Sequence, residues 1–209
     1  MPVPESKLMR KFLPSLVVIA IVIAVGTAVA FWAEARQQAA IDRIVELKPD
    51  QQPKTQQDKD LLVSWIDQVK GNPEDPVAWN NLAGMLFNLK AFAQAEKGYQ
   101  KSLEIDSAQA DIWALMGEAR IRQGKESDPV SVTALFAFNQ ALRLDPENLR
   151  AHFYIGLADF NDGKRSRAVS RMRYVLEASG QDSMARSAAQ QTLDQWNAAA
   201  DPDADAALD

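Results

Sequence analysis

His152 is the only histidine in the chain. An imidazole that activates a nucleophile needs a serine or cysteine in front of it and an acid behind it, and one that binds a metal needs further ligands. No such constellation accompanies His152, which is expected to be structural. The chain has no cysteine, which excludes disulfide staples, thiol chemistry and thiolate metal sites. No glycine-rich phosphate loop occurs. The adjacent acids Glu74 and Asp75 precede Pro76, where carboxylates serve a helix start. We therefore expect no enzyme, no metal, no cofactor and no small-molecule substrate. A net charge of −5 gives no electrostatic footprint for nucleic acid.

What remains is the chemistry of binding. Residues three, four and seven apart share one face of a helix. Three such stripes occur: Val77, Asn80, Gly84 and Phe87; Asp111, Ala114, Glu118 and Ile121; Arg150, Phe153, Leu157 and Phe160. Apolar positions flanked by charges suit a groove that receives an amphipathic helix or an extended peptide. The competing reading packs some of these aromatics against the next helix. A second feature is the basic run Lys164, Arg165, Arg167, Arg171 and Arg173. It reads either as a solvated face or as a surface for an acidic partner or anionic headgroups.

The elements that position these stripes recur. Trp79 and Trp113 are 34 residues apart, and His152 follows Trp113 by 39. After each come small and large residues in a common order: Leu82, Ala83, Phe92, Ala95 and Tyr99; Met116, Gly117, Gly124, Ala134, Phe138 and Ala141; Ile155, Gly156, Gly163, Ala168, Met172 and Val175. This period and pattern are the tetratricopeptide signature. One helix pair cannot bury its own apolar face, so the unit must be stacked. Asp75-Pro76 and Asp128-Pro129 read as helix caps followed by proline at the first helical position. Gly71, Gly124 and Gly163 stand where helices should stop. The longer second repeat places its extra residues between Gly124 and Ala134. Capping helices are expected over residues 60–70, with Leu61, Leu62, Trp65, Ile66 and Val69 on one side, and over 183–196, with Met184, Ala188 and Trp196. The fold class is thus all-α: a TPR-like solenoid of about eight helices, without strands, over residues 58–199.

Ahead of it, residues 12–33 carry no charge and reach about 33 Å as a helix, enough to span a bilayer. Lys7, Arg10 and Lys11 precede this stretch, so residues 1–11 are expected in the cytoplasm and the solenoid outside it, in the periplasm of a Gram-negative cell. A retained anchor is favoured over a cleaved signal peptide by the length of the apolar run. Residues 34–57 read as a juxtamembrane helix followed by a polar linker, and residues 200–209 as a disordered acidic tail.

The anchor, the linker, "NPEDPVAW", the insertion in the second repeat and "ALRLDPENLRAHFYIGLADFNDGKRSRAV" together resemble the TPR domain of c-type cytochrome biogenesis proteins of the CycH/CcmI and NrfG type, over about residues 57–197. The resemblance implies a periplasmic, chaperone-like subunit of the haem-ligation machinery. Such a subunit holds apocytochrome c, largely by its C-terminal helix, for the haem lyase. With one membrane helix and no long cytoplasmic loop, the chain is closer to the short form of that family. It has neither a tryptophan-rich haem-handling motif nor a Cys-x-x-Cys pair, so neither haem binding nor thiol reduction is implied. Two other roles fit the same sequence: a translocon- or envelope-associated chaperone, and a structural accessory subunit of a membrane complex.

Overall fold

A computed structural model describes residues 7–124, 130–181 and 183–198, with side chains left out at 7–17, 19, 20 and 198. The residues divide into two compact units, one up to Ile44 and one from Val45 onward. The first is the helix α1 (Lys7–Ile44). Val22, Ile23, Val29 and Phe31 are each at least 60% exposed, whereas Ile41 and Ile44 at its C-terminal end are buried. Among the described residues no helix is long and apolar enough to cross a membrane. Of the expected span, the side chains of residues 12–17, 19 and 20 lie outside them.

The second unit contains α2 (Gln56–Gly71), α3 (Pro76–Asn88), α4 (Phe92–Ile105), α5 (Ala110–Gln123), α6 (Val132–Leu144), α7 (Leu149–Asn161), α8 (Arg165–Ala178) and α9 (Met184–Ala198). No strand occurs among the described residues. The helices pair as α3/α4, α5/α6 and α7/α8. Each pair stacks on the next, with α2 against α3 and α9 against α8. These are the expected repeats and the expected caps.

Small residues make the close approaches. A Cβ on Gly98 would lie 2.9 Å from the Cβ of Ala83, and one on Gly117 would lie 2.8 Å from the Phe138 ring. Leu82, Leu86, Tyr99, Phe138 and Met172 fill the interior and are almost wholly buried. The residues that open the three repeats share one polar task. The Trp79 indole N–H donates to the Pro73 carbonyl at 2.8 Å, and that of Trp113 to Ser107 at 2.9 Å. His152 Nε2 meets the Pro146 carbonyl at 2.8 Å. His152 is thus the third member of an indole series, and its ring places an N–H where tryptophan would. Trp79 is buried, whereas Trp113 is half-buried and meets Phe136 edge-on at 6.0 Å.

Several expected boundaries move. The compact unit starts at Val45, not near 58, because the polar segment ahead of α2 is tied down. Gln94 donates to the Glu46 carbonyl at 2.8 Å, Gln51 donates to the Lys90 carbonyl at 3.3 Å, and Pro53 is buried. Asp75 caps α3 as expected, accepting from the Val77 amide at 2.9 Å. Helix α6, however, starts at Val132 and is capped by Ser131, so Asp128 is not its cap. Asp128 and Pro129 themselves, like the tail 200–209, lie outside the described residues. Met184, expected on the packing side of α9, is instead 90% exposed as the first residue of that helix.

The ends of α3 and α7 close alike. Ala91 N–H returns to the Leu86 carbonyl and Lys164 N–H to that of Asp159. This closure needs a left-handed residue, supplied by Gly163 (φ 75°) after α7 and by Lys90 (φ 60°) after α3.

Candidate protein-binding cleft

The first helices of successive repeats run side by side, α5 against α7 and α7 against α9. Between them opens a cleft of about 820 Å³. Of the twelve stripe residues expected to contact a ligand, it gathers four: Asp111 and Glu118 from α5, Arg150 and Phe153 from α7.

The others fall elsewhere. In the first repeat, Val77 is exposed and Phe87 meets Phe92 edge-on at 5.1 Å. Gly84 lies beside the Tyr99 hydroxyl, 4.0 Å from where its Cβ would stand. Asn80 donates to Gln109 at 2.7 Å while its own buried Oδ1 has no hydrogen-bond partner. In the second repeat, Ala114 is fully buried and Ile121 packs against the same core as Phe138. In the third, Leu157 and Phe160 turn toward α9, and the Phe160 ring lies flat on Trp196 at 4.3 Å and 3°. Ala114, Ile121, Leu157 and Phe160 thus contribute to packing, and Phe153, which lines the cleft, packs on the same core as Leu157. The α9 helix stands where the next repeat would begin, so it covers side chains that a bare stripe would expose.

The cleft is organised around Glu118, whose side chain is only 7% exposed. It accepts from Arg122 at 3.2 Å, one turn further along α5, and pairs across the cleft with Arg150 of α7. Tyr154 and Tyr99 adjoin this group. Burial, reinforced by Glu118, pushes the Tyr154 phenol up to about 12. Burial likewise pushes Tyr99 up to about 12, with Arg150 pulling the other way and Glu118 adding to the rise. Asp111 accepts from Asn148 at 2.8 Å, a second brace between α5 and α7. Asp145 and Glu147 line the cleft as well, and Ala185, Ala188 and Met184 supply an apolar wall from α9.

Among the described residues no cluster of His, Asp or Glu could hold a metal ion. The arrangement offers apolar surface beside charges of both signs, which suits a polypeptide segment. Sequence reading missed Arg122, Asn148, Tyr154 and the α9 wall. Arg122 was within reach, since it follows Glu118 by four residues. The contribution of α9 required knowing how the terminal cap docks.

The basic run is only partly outward. Asp159, with a side chain 6% exposed, collects Arg171 at 3.1 Å, Arg167 at 3.7 Å and Lys164 at 4.0 Å. Arg171 also meets His152 Nδ1 at 3.1 Å, so the ring accepts there while its Nε2–H donates to Pro146. Arg165 donates to the Trp196 carbonyl and places its guanidinium 5.4 Å from the centre of the Phe160 ring. Arg173 is exposed.

Paired antiparallel helices stacked in register, with a cleft along their first helices, define a tetratricopeptide solenoid domain. No protein-family model matches the chain. The chain is 27% identical over 135 residues to the cytochrome c-type biogenesis protein CycH of Bradyrhizobium diazoefficiens, covering 65% of this chain and 36% of that protein. It is also 27% identical over 111 residues to the CycH of Rhizobium meliloti, covering 53% and 29%. The chain thus spans about a third of the length of these relatives. Superkiller protein 3 of Schizosaccharomyces pombe matches at 31% over 96 residues, 46% of this chain and 7% of that one. Among solved structures, a thermophilic TPR protein of Thermus thermophilus aligns with a TM-score of 0.50 at 20% identity. That alignment covers 63% of this chain and 72% of the other, and it bears on the fold alone. The CycH likeness and the solenoid together support a TPR domain of the CycH/CcmI type.

Proposed function

We propose that the chain is a membrane-anchored, non-catalytic TPR protein of the periplasm that holds apocytochrome c for the haem-ligation complex during c-type cytochrome maturation. The observation that carries this reading is the likeness of its solenoid region to two CycH proteins. The cleft between α5, α7 and α9 supports it physically. A chain segment with one apolar face would meet Phe153, Ala185 and Ala188, while its polar face meets Asp111, Glu118 and Arg150. The exposed apolar side chains of α1 and the basic residues Lys7, Arg10 and Lys11 support an anchor with its N-terminus in the cytoplasm.

A segment that orders only on binding gives up conformational entropy, so the affinity is expected to be about micromolar. The test is titration of the full chain in nanodiscs with apocytochrome c, holocytochrome c and an unrelated unfolded exported protein. Apocytochrome should bind most tightly, since haem insertion folds the client's helices away. Equal affinity for all three would end the cytochrome reading and leave a general scaffold.

A further inference from the structure

We propose that the cleft reads its client by two charges of opposite sign. A lysine or arginine of an amphipathic helix meets the carboxylates at one end of the cleft. An aspartate or glutamate about two turns along that helix meets the guanidinium groups at the other. The proposal rests on the reading that the cleft holds a client, and adds what that client must carry.

The first observation is an acidic rim without a counter-charge. Asp111 stands in the first turn of α5, and Asp145 and Glu147 precede α7. Asp111 accepts from Asn148 at 2.8 Å, and Asp145 accepts from the Glu147 amide at 3.0 Å. These bonds hold the two carboxylates in place, but both donors are neutral. Among the described residues none of the three carboxylates has a cation for a partner. Asp111 and Glu147 are exposed and Asp145 is half-buried. A charged donor on a ligand bonds to a carboxylate more strongly than an amide does, and it reaches these three from water.

The second observation is the opposite surplus two turns further along α5. There the one carboxylate of Glu118 is shared by Arg122 and Arg150, whose side chains are 54% and 44% exposed. A guanidinium has five N–H donors, so each arginine keeps donors beyond those that Glu118 takes. Glu118 follows Asp111 by seven residues, about 10 Å along the helix. A client helix with its base and its acid seven residues apart spans the same distance on one face. Phe153, Ala185 and Ala188 supply apolar surface in the same cleft. Apolar burial then gives affinity, and the two charges set the register.

The test uses one amphipathic helical peptide with a fixed apolar face and four polar edges. These carry lysine and glutamate seven residues apart, lysine alone, glutamate alone, or glutamine at both positions. Each peptide is titrated into the full chain in zwitterionic nanodiscs. At about 10 mM salt, where the Debye length is about 30 Å, the doubly charged peptide should bind about tenfold more tightly than the glutamine peptide. At about 1 M salt, where that length is about 3 Å, the two should agree within about twofold. Asp111→Asn, Asp145→Asn and Glu147→Gln together should remove the gain from lysine, and Arg150→Gln should remove the gain from glutamate. Asp60, Asp67 and Glu104 are exposed acids outside the cleft. Replacing them by their amides changes the net charge as much as the rim substitutions do and should leave both gains in place. Moving the two peptide charges to three residues apart should cancel most of the combined gain. Equal binding of the four peptides, or the same loss in both amide variants, would overturn the proposal. Apocytochrome c bound alongside four equal peptides would leave the proposed client standing without the charge register. A charge register without apocytochrome binding would do the reverse.

Discussion

Glu118 and Asp159 are two buried carboxylates on first helices of neighbouring repeats, each serving more than one cation, and they are put to different uses. Asp159 is enclosed within the α7/α8 hairpin. It gathers Lys164, Arg167 and Arg171 from one stretch of chain, and through Arg171 it also fixes the His152 ring. Glu118 opens on the cleft, and its partners come from two helices, Arg122 of its own α5 and Arg150 of α7. Both cations are about half exposed, at 54% and 44%. A ligand can compete for them, or for Glu118, without entering the core. The two carboxylates are equally buried, at 7% and 6%, and Lys164 and Arg167 are as open to water as Arg122 and Arg150. What separates the two groups is that Asp159 ties one hairpin together, with the less exposed Arg171 fixing His152, whereas Glu118 joins two helices across a cleft.

The largest effect should be on stability. Asp159→Ala lets Lys164 and Arg167 turn to solvent but leaves the 24%-exposed Arg171 without its acid and loosens its hold on the His152 ring, so the loss should be about 2–3 kcal/mol. Glu118→Ala should cost less, about 1–2 kcal/mol, because Arg122 and Arg150 can turn to solvent through the cleft. Urea unfolding of the two variants gives the comparison directly, and equal losses would erase the distinction.

Binding should show the reverse order. Arg150→Ala removes a charge from the cleft wall and should weaken apocytochrome binding about tenfold, or about 1.4 kcal/mol. Asp159→Asn should leave the affinity within about twofold. A client that discriminates against the Asp159 variant instead would place the binding surface on the hairpin side.

An alkaline effect sharpens the Glu118 side alone. Tyr99 and Tyr154 have folded pKa values raised from 10.0 to about 12. Their neutral forms are favoured in the folded state, so this contribution is complete below about pH 10 and is lost as pH rises toward 12. The slope should approach about 1 kcal/mol per pH unit for each phenol. Tyr154→Phe should flatten the fall in stability between pH 10 and 12, and ultraviolet titration should find both phenols ionising late. A titration of Tyr154 near pH 10 would mean that its ring is open to water.

The repeats were legible in the sequence because their cause is local. The Trp79 and Trp113 spacing, the small residues Ala83 and Gly117, and Gly163 at a left-handed turn all report on contacts within a pair or between adjacent pairs. The cleft was half legible for the same reason. Asp111, Glu118, Arg150 and Phe153 follow from helical spacing. Phe160 does not, because its burial depends on Trp196, which lies on another helix. The polar segment ahead of α2 looked like a free linker because its anchors are backbone carbonyls of Glu46 and Lys90, held by Gln94 and Gln51. Composition does not record which carbonyls a glutamine will find. Lys90 is a further case, since its left-handed backbone has no sequence mark comparable to Gly163.

That the cleft holds the client is tested most directly by photo-crosslinking in cells from two exposed positions. Met184 lines the cleft and is 90% exposed; Val132, on α6, is 83% exposed and lies outside it. With a benzophenone amino acid at each, position 184 should capture a c-type apocytochrome and position 132 should not. Capture of the apocytochrome at 132 with none at 184 would contradict the account.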